Sequence, residues 1–110
     1  MPELPEVETT RAGIEPHVRG QRVRTVIVRQ PQLRWPVSEA LAEKLPGQTI
    51  RTVHRRAKYL LFEAETGHMC LHLGMSGRLR IVPADTPLAT HDHVDIVLDN
   101  DWTVRFNDAR

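Results

Sequence analysis

One cysteine stands in the 110-residue chain, so no disulfide can form within it and no four-cysteine zinc site can be built from it. Cys70 lies between Met69 and Leu71 in an apolar run, which predicts a buried thiol. Long hydrophobic runs are missing too, and the 40% apolar fraction is that of a globular chain, so no membrane span is expected. The start lacks the positive segment and apolar stretch of a secretory signal, because Met1-Pro2-Glu3-Leu4-Pro5-Glu6-Val7-Glu8 is acidic and proline-rich. A cytoplasmic location is the resulting expectation. Neither sign of charge dominates: the formal net charge is +1, and bulk electrostatics alone select no polyanionic partner. Internal repeats and low-complexity tracts are absent, and the length suits one domain.

What is present is segregated. Arg19, Arg22, Arg24, Arg29 and Arg34 form one basic stretch, Arg51, Arg55, Arg56 and Lys58 a second, and Asp92, Asp95, Asp99 and Asp101 an acidic one. Any one run alone reads as a solvated strand face, whereas two basic runs together are compatible with a phosphate-binding face. Leu4, Val7, Arg11 and Ile14 recur at helical spacing, with Glu3, Glu6 and Glu8 where the helix dipole favours negative charge, so a helix ending near Gly13 to His17 is predicted. A valine-rich strand follows over Gln21 to Arg29. Ser38 is a suitable N-cap for a short helix stopped by Pro46-Gly47. Strands are then predicted at Thr49 to Arg55, Tyr59 to Ala64, His68 to Leu73, Arg78 to Val82, His93 to Leu98 and Trp102 to Phe106. Asp99-Asn100-Asp101 makes the last pair a hairpin, and Pro83 to Thr90 is the candidate for a mobile loop. The fold class is mainly β: an antiparallel β-sandwich with an N-terminal helix and one further short helix at the edges.

Several residues could carry chemistry. Removal of Met1 would leave Pro2 as a free secondary amine, whose unperturbed pKa of about 7.7 to 8.0 keeps a useful fraction unprotonated near neutrality. Attack on an aldehyde-like carbon would give an iminium, an electron sink. While Met1 remains, Pro2 is an amide nitrogen and no nucleophile; the plainer role of Pro2 and Pro5 is to stiffen a helix start. Glu3 and Glu6, three apart, share a helix face and could pair as proton donor and orienting carboxylate. Lys58 sits at a junction of basic and apolar residues from which its ammonium could reach a phosphate. His72 could donate to a phosphate or be a satisfied sheet histidine. Met75, in Gly74-Met75-Ser76-Gly77, could fill a core gap or wedge into a stacked duplex. His91 and His93 would share a strand face with only Asp95 near, too few ligands for a metal site.

The octet Met1 to Glu8, Arg34-Trp35-Pro36-Val37-Ser38, Arg55 to Leu61, His72-Leu73-Gly74-Met75-Ser76-Gly77, His91-Asp92-His93-Val94-Asp95 and Asn107-Asp108-Ala109-Arg110 together resemble the bacterial formamidopyrimidine-DNA glycosylases. Leu4 resembles the oxidised-purine branch; the sibling endonuclease VIII branch typically has glycine there. The resemblance implies a monomeric base-excision enzyme acting on double-stranded DNA that contains 8-oxoguanine, formamidopyrimidines or abasic sites. It implies Pro2 as nucleophile at the sugar C1′, Glu3 handling protons, Glu6 supporting them, and the imine permitting β and δ eliminations. Lys58, beside the lesion, and His72 would hold phosphates, His91 would contact DNA, and Met75 and Arg110 would fill the gap left by the everted nucleotide. Residues 1–110 would then be the N-terminal catalytic domain. Zinc would belong to a finger beyond Arg110, next to a helix, two turns, helix part.

Two other classes remain open. A binding-only module would use Lys58, His72 and the arginine runs on DNA phosphates without chemistry. A tautomerase using an N-terminal proline as base also fits the first residues, although those folds follow proline with a strand where Glu3 to Ile14 reads as a helix.

Overall fold

The computed structural model describes residues 4–29, 44–57, 59–72 and 77–108, with the side chains of residues 4, 5 and 72 excepted. The helix α1 spans Leu4–Val18, and seven strands follow: β1 (Val23–Val28), β2 (Thr52–Arg56), β3 (Tyr59–Ala64), β4 (Gly67–His72), β5 (Gly77–Pro83), β6 (Asp92–Leu98) and β7 (Trp102–Asp108). They form a four-stranded antiparallel sheet in the order β1-β6-β7-β5 and a three-stranded one in the order β2-β3-β4. The predicted short helix from Ser38 lies outside the described residues apart from its last two positions.

Period-2 burial joins the sheets into one core. Leu60, Phe62 and Ala64 of β3, with Met69 and Leu71 opposite on β4, face Val94, Ile96 and Leu98 of β6 and Val104 and Phe106 of β7. Helix α1 adds Val7, Ile14 and Val18 to the same cluster. The helix runs past Gly13 and through Pro16 to Val18, one residue beyond the end expected near Gly13 to His17, and buries Ile14 and Val18. Gly20 ends it in the left-handed region at φ 79°, its N–H donating to Ile50 O at 2.7 Å.

Helix α1 also protects an edge. β2 borders its sheet, so its outward backbone groups need partners. Glu15 Oε2 accepts from the Val53 N–H at 3.2 Å and from Thr52 Oγ1 at 2.6 Å, while Arg11 Nη1 donates to Val53 O at 3.3 Å.

Four expectations are corrected. Asp92 and Asp95 are buried, not part of a solvated face. A register shift between Asp92 and Val94 inserts one extra residue in β6, so Asp92 lies opposite Asn107 and Asp95 opposite Arg105. That bulge places two aspartates three apart on one face, which plain alternation forbids. Cys70 is exposed, because Met69 and Leu71 take the inward positions on either side of it; partial shielding still pushes its thiol pKa up. The connection from Ala84 to His91 is tied down by Arg105, Asp92 and Asn107 rather than left free. His91 precedes the strand at φ 71°, so it does not share a strand face with His93; their rings meet edge-on at 6.0 Å.

Candidate nucleic-acid interface

Helix α1 runs antiparallel to β2. Glu15 meets Thr52, and further toward the helix N-terminus Glu8 meets Arg55 at 3.3 Å, so the first turn of α1 points toward the β2–β3 turn. Glu6 is exposed in that first turn. Glu8 is held between two guanidiniums, with Arg11 Nη2 at 2.6 Å. Hydrogen bonds from Arg11 keep its carboxyl below the usual range, Arg55 assisting. Arg55 Nη1 also donates to Ala57 O at 3.1 Å, bracing a turn in which Ala57 has φ 52°.

Register brings the other strand ends to the same side. Arg56 lies opposite Tyr59, and Tyr59 opposite His72 at the end of β4. Gly77 starts β5 opposite Asp108 at the end of β7, and the Asp108 N–H donates to His91 O at 3.1 Å. His72 and Gly77 are five residues apart, so a fully extended chain separates them by at most about 18 Å. One end of the sandwich therefore collects the start of α1, the β2–β3 turn, the ends of β4 and β7, the start of β5 and His91.

Of the sequence-predicted site residues, Glu6 and His91 are described at that end, and His72 through its backbone. Pro2, Glu3, Lys58, Met75 and Arg110 lie outside the described residues. Arg56 and Arg78, both exposed, have no ion pair among the described residues. Free guanidiniums at a surface suit phosphate oxygens. Two members of the first basic stretch are paired internally: Arg24 with Asp101 at 3.0 Å, and Arg29 with Asp95 at 3.0 Å. An open groove of about 620 Å³ crosses the outer face of the three-stranded sheet between Arg51, Arg56 and His68, where His54 engages Glu63 at 3.0 Å.

Sequence reasoning missed the Glu8–Arg11–Arg55 brace and the Asp92–Asp95–Arg105 cluster. The spacing of three between Glu8 and Arg11 on a helix signals the first; nothing local signals the second. Among the described residues no group of three or more His, Cys, Asp or Glu could hold a metal ion. No described helix is long and apolar enough to cross a membrane.

A two-sheet antiparallel sandwich with a helix on one edge strand, its arginine- and histidine-bearing end set against the helix start, is the class of domain that these features define. The chain belongs to the formamidopyrimidine-DNA glycosylase family, whose N-terminal domain model matches residues 1–110. It is 61% identical over 110 residues to the formamidopyrimidine-DNA glycosylase of Stenotrophomonas maltophilia (strain K279a), covering 100% of this chain and 41% of that protein. To the same-named protein of Marinobacter nauticus it is 62% identical, again with 100% and 41% covered. The chain thus spans about 41% of the length of these curated relatives. Among solved structures it is similar to Lactococcus lactis Fpg in complex with abasic-site DNA, with TM-score 0.90, 35% identity, and 98% of this chain and 40% of that one covered. A complex of the Lactococcus lactis protein with FAPY-dG DNA matches equally, at TM-score 0.90 and 35% identity over 98% of this chain and 41% of that one.

Proposed function

We propose that residues 1–110 are the N-terminal catalytic domain of a bifunctional DNA glycosylase and abasic-site lyase that removes oxidised purines, 8-oxoguanine and formamidopyrimidines, in base-excision repair. The observation that carries this is the match to one family along the whole chain, and the gathering of the described motif flanks at one end agrees with it. The matched Lactococcus lactis protein is complexed with abasic-site DNA and with FAPY-dG DNA.

The chemistry is the one that the family resemblance implies for these residues. With Met1 removed, the Pro2 nitrogen lone pair attacks C1′, the glycosidic bond breaks, and the base leaves with its electron pair and takes a proton. Glu3 moves protons at the sugar ring and base, and Glu6, in the first helical turn, supports it. Ring opening gives the iminium, whose pull on electrons lets C2′ lose a proton. β-Elimination then breaks the C3′–O bond and δ-elimination the C5′–O bond. Lys58 and His72 hold phosphates beside the lesion, His91 touches the DNA, and Met75 with Arg110 fills the vacated stack. The helix that starts at Leu4 argues against the tautomerase class, in which a strand follows the proline.

In this reading the enzyme is a cytoplasmic monomer acting on double-stranded DNA. By the family resemblance, zinc would reside in a C-terminal finger of the full-length protein. The full-length protein freed of Met1 should incise a duplex bearing one 8-oxoguanine and leave phosphates on both flanking ends. Steeply salt-dependent binding with no incision would make it the non-catalytic backbone-binding module instead.

A further inference from the structure

The outer face of the four-stranded sheet carries a cluster that the chemistry above does not use. Arg105 is buried there and meets Asp95 twice, Nε to Oδ1 at 2.9 Å and Nη2 to Oδ2 at 3.1 Å. Its remaining nitrogen, Nη1, donates to Thr86 O at 3.1 Å and Pro87 O at 3.2 Å. Asp92 Oδ2 accepts from the Ala89 N–H at 2.7 Å, and Asn107 Nδ2 donates both to Thr90 O and to Asp92 Oδ1 at 2.9 Å. The Asp108 N–H then donates to His91 O at 3.1 Å. Backbone groups of residues 86, 87, 89, 90 and 91 are thus all fastened to β6 and β7, and the chain so fastened delivers His91 in a left-handed conformation that a non-glycine residue seldom adopts.

We propose that Arg105, Asp92 and Asn107 are positioning residues for DNA engagement. They hold the 84–91 connection so that the exposed His91 ring is preset for a DNA phosphate or base edge. The bulge at the start of β6 serves this arrangement, because without the extra residue Asp92 would face the core and release Ala89 and Asn107. Presetting matters because a side chain ordered in advance gives up less freedom when it binds. The inference rests on His91 contacting DNA, as the proposed function has it.

The test is a double-variant cycle in the full-length protein, read as the affinity for an uncleaved duplex with an abasic-site analogue. Asn107→Ala removes a partly exposed side chain and should leave the fold intact. It should weaken binding about 3- to 10-fold, the range of one or two lost hydrogen bonds. In a His91→Ala background the same change should cost little further, because the residue being positioned is gone. Arg105→Lys keeps the charge but cannot span Asp95 and two carbonyls, and should match Asn107→Ala if it folds. Equal losses from Asn107→Ala in both backgrounds, or no loss in either, would overturn the positioning role while leaving His91 as a contact. Unchanged affinity on His91→Ala alone would overturn the inference together with the reading of His91 beneath it, an outcome distinct from the first.

Discussion

At the residue scale, the Arg105 and Asp95 side chains are 2% and 4% exposed and form the best-buried ion pair of a cluster that Arg29 and Asp92 complete. Breaking a buried pair typically costs about 3–5 kcal/mol when the partner is left uncompensated, and Asp92 at 3.9 Å from Arg105 and Arg29 at 3.0 Å from Asp95 keep the loss toward the lower end of that range. Urea unfolding of Asp95→Ala should show a loss of that order, and an unchanged midpoint would contradict the buried pair. Protonation does the same more gently. Burial alone would raise the Asp95 carboxyl, but hydrogen bonds from Arg105 and Arg29 and their charges bring it below the usual carboxylate range. Asp92 follows the same pattern: burial raises it, and Asn107, the Ala89 N–H, Arg105 and Arg80 together outweigh that. Groups whose pKa is lower in the folded state stabilise fully above their unfolded value of about 4, and that share is lost as pH falls through the folded value. Stability measured by thermal unfolding should therefore fall below about pH 4, and fall less steeply in Asp95→Asn. An acid profile identical in that variant would contradict the account. None of this was legible in the sequence, because the aspartates read as one acidic run and the bulge that aligns them with Arg105 leaves no compositional mark.

At the element scale, α1 serves as both core face and edge cover. Glu15→Gln keeps the shape but weakens the charge-assisted bonds to Thr52 and Val53, at a cost of about 1 kcal/mol in unfolding free energy. Hydrogen exchange at the Val53 amide should speed up selectively, while exchange in β6 and β7 should not. Uniform acceleration would show that α1 does not cap that edge locally. Much of the element pattern was legible, since β3 runs from Tyr59 to Ala64 as its alternation predicts and the 99–101 turn joins β6 to β7. The misses trace to tertiary contacts. β7 continues beyond Phe106 to Asp108 because Gly77 and the His91 carbonyl wait there as partners. The end of α1, by contrast, falls within one residue of the expected range, and burying Ile14 and Val18 outweighs Gly13 and Pro16, two poor helix formers.

At the scale of the whole molecule, a net charge of +1 conceals an uneven surface. Internal pairing with Asp95, Asp99 and Asp101 occupies Arg24 and Arg29, whereas Arg56 beside the β2–β3 turn is exposed and has no ion pair among the described residues. Duplex affinity of the full-length protein should therefore fall steeply with salt. Arg56→Ala should weaken binding alike on all sequences and reduce the salt slope by about 1. A sequence-selective loss with unchanged slope would place Arg56 elsewhere. The candidate residues were named from short local motifs, and the described ones, Glu6, His72 and His91, lie at element ends that the register of the two sheets sends to one side. The central claim is the nucleophile, and trapping tests it most directly. With Met1 removed, the full-length protein mixed with 8-oxoguanine duplex and borohydride should yield a covalent protein–DNA adduct, through reduction of the Pro2 iminium, and Pro2→Gly should abolish or greatly weaken it. Incision of the strand with no trapped adduct, or an adduct undiminished in Pro2→Gly, would contradict the account.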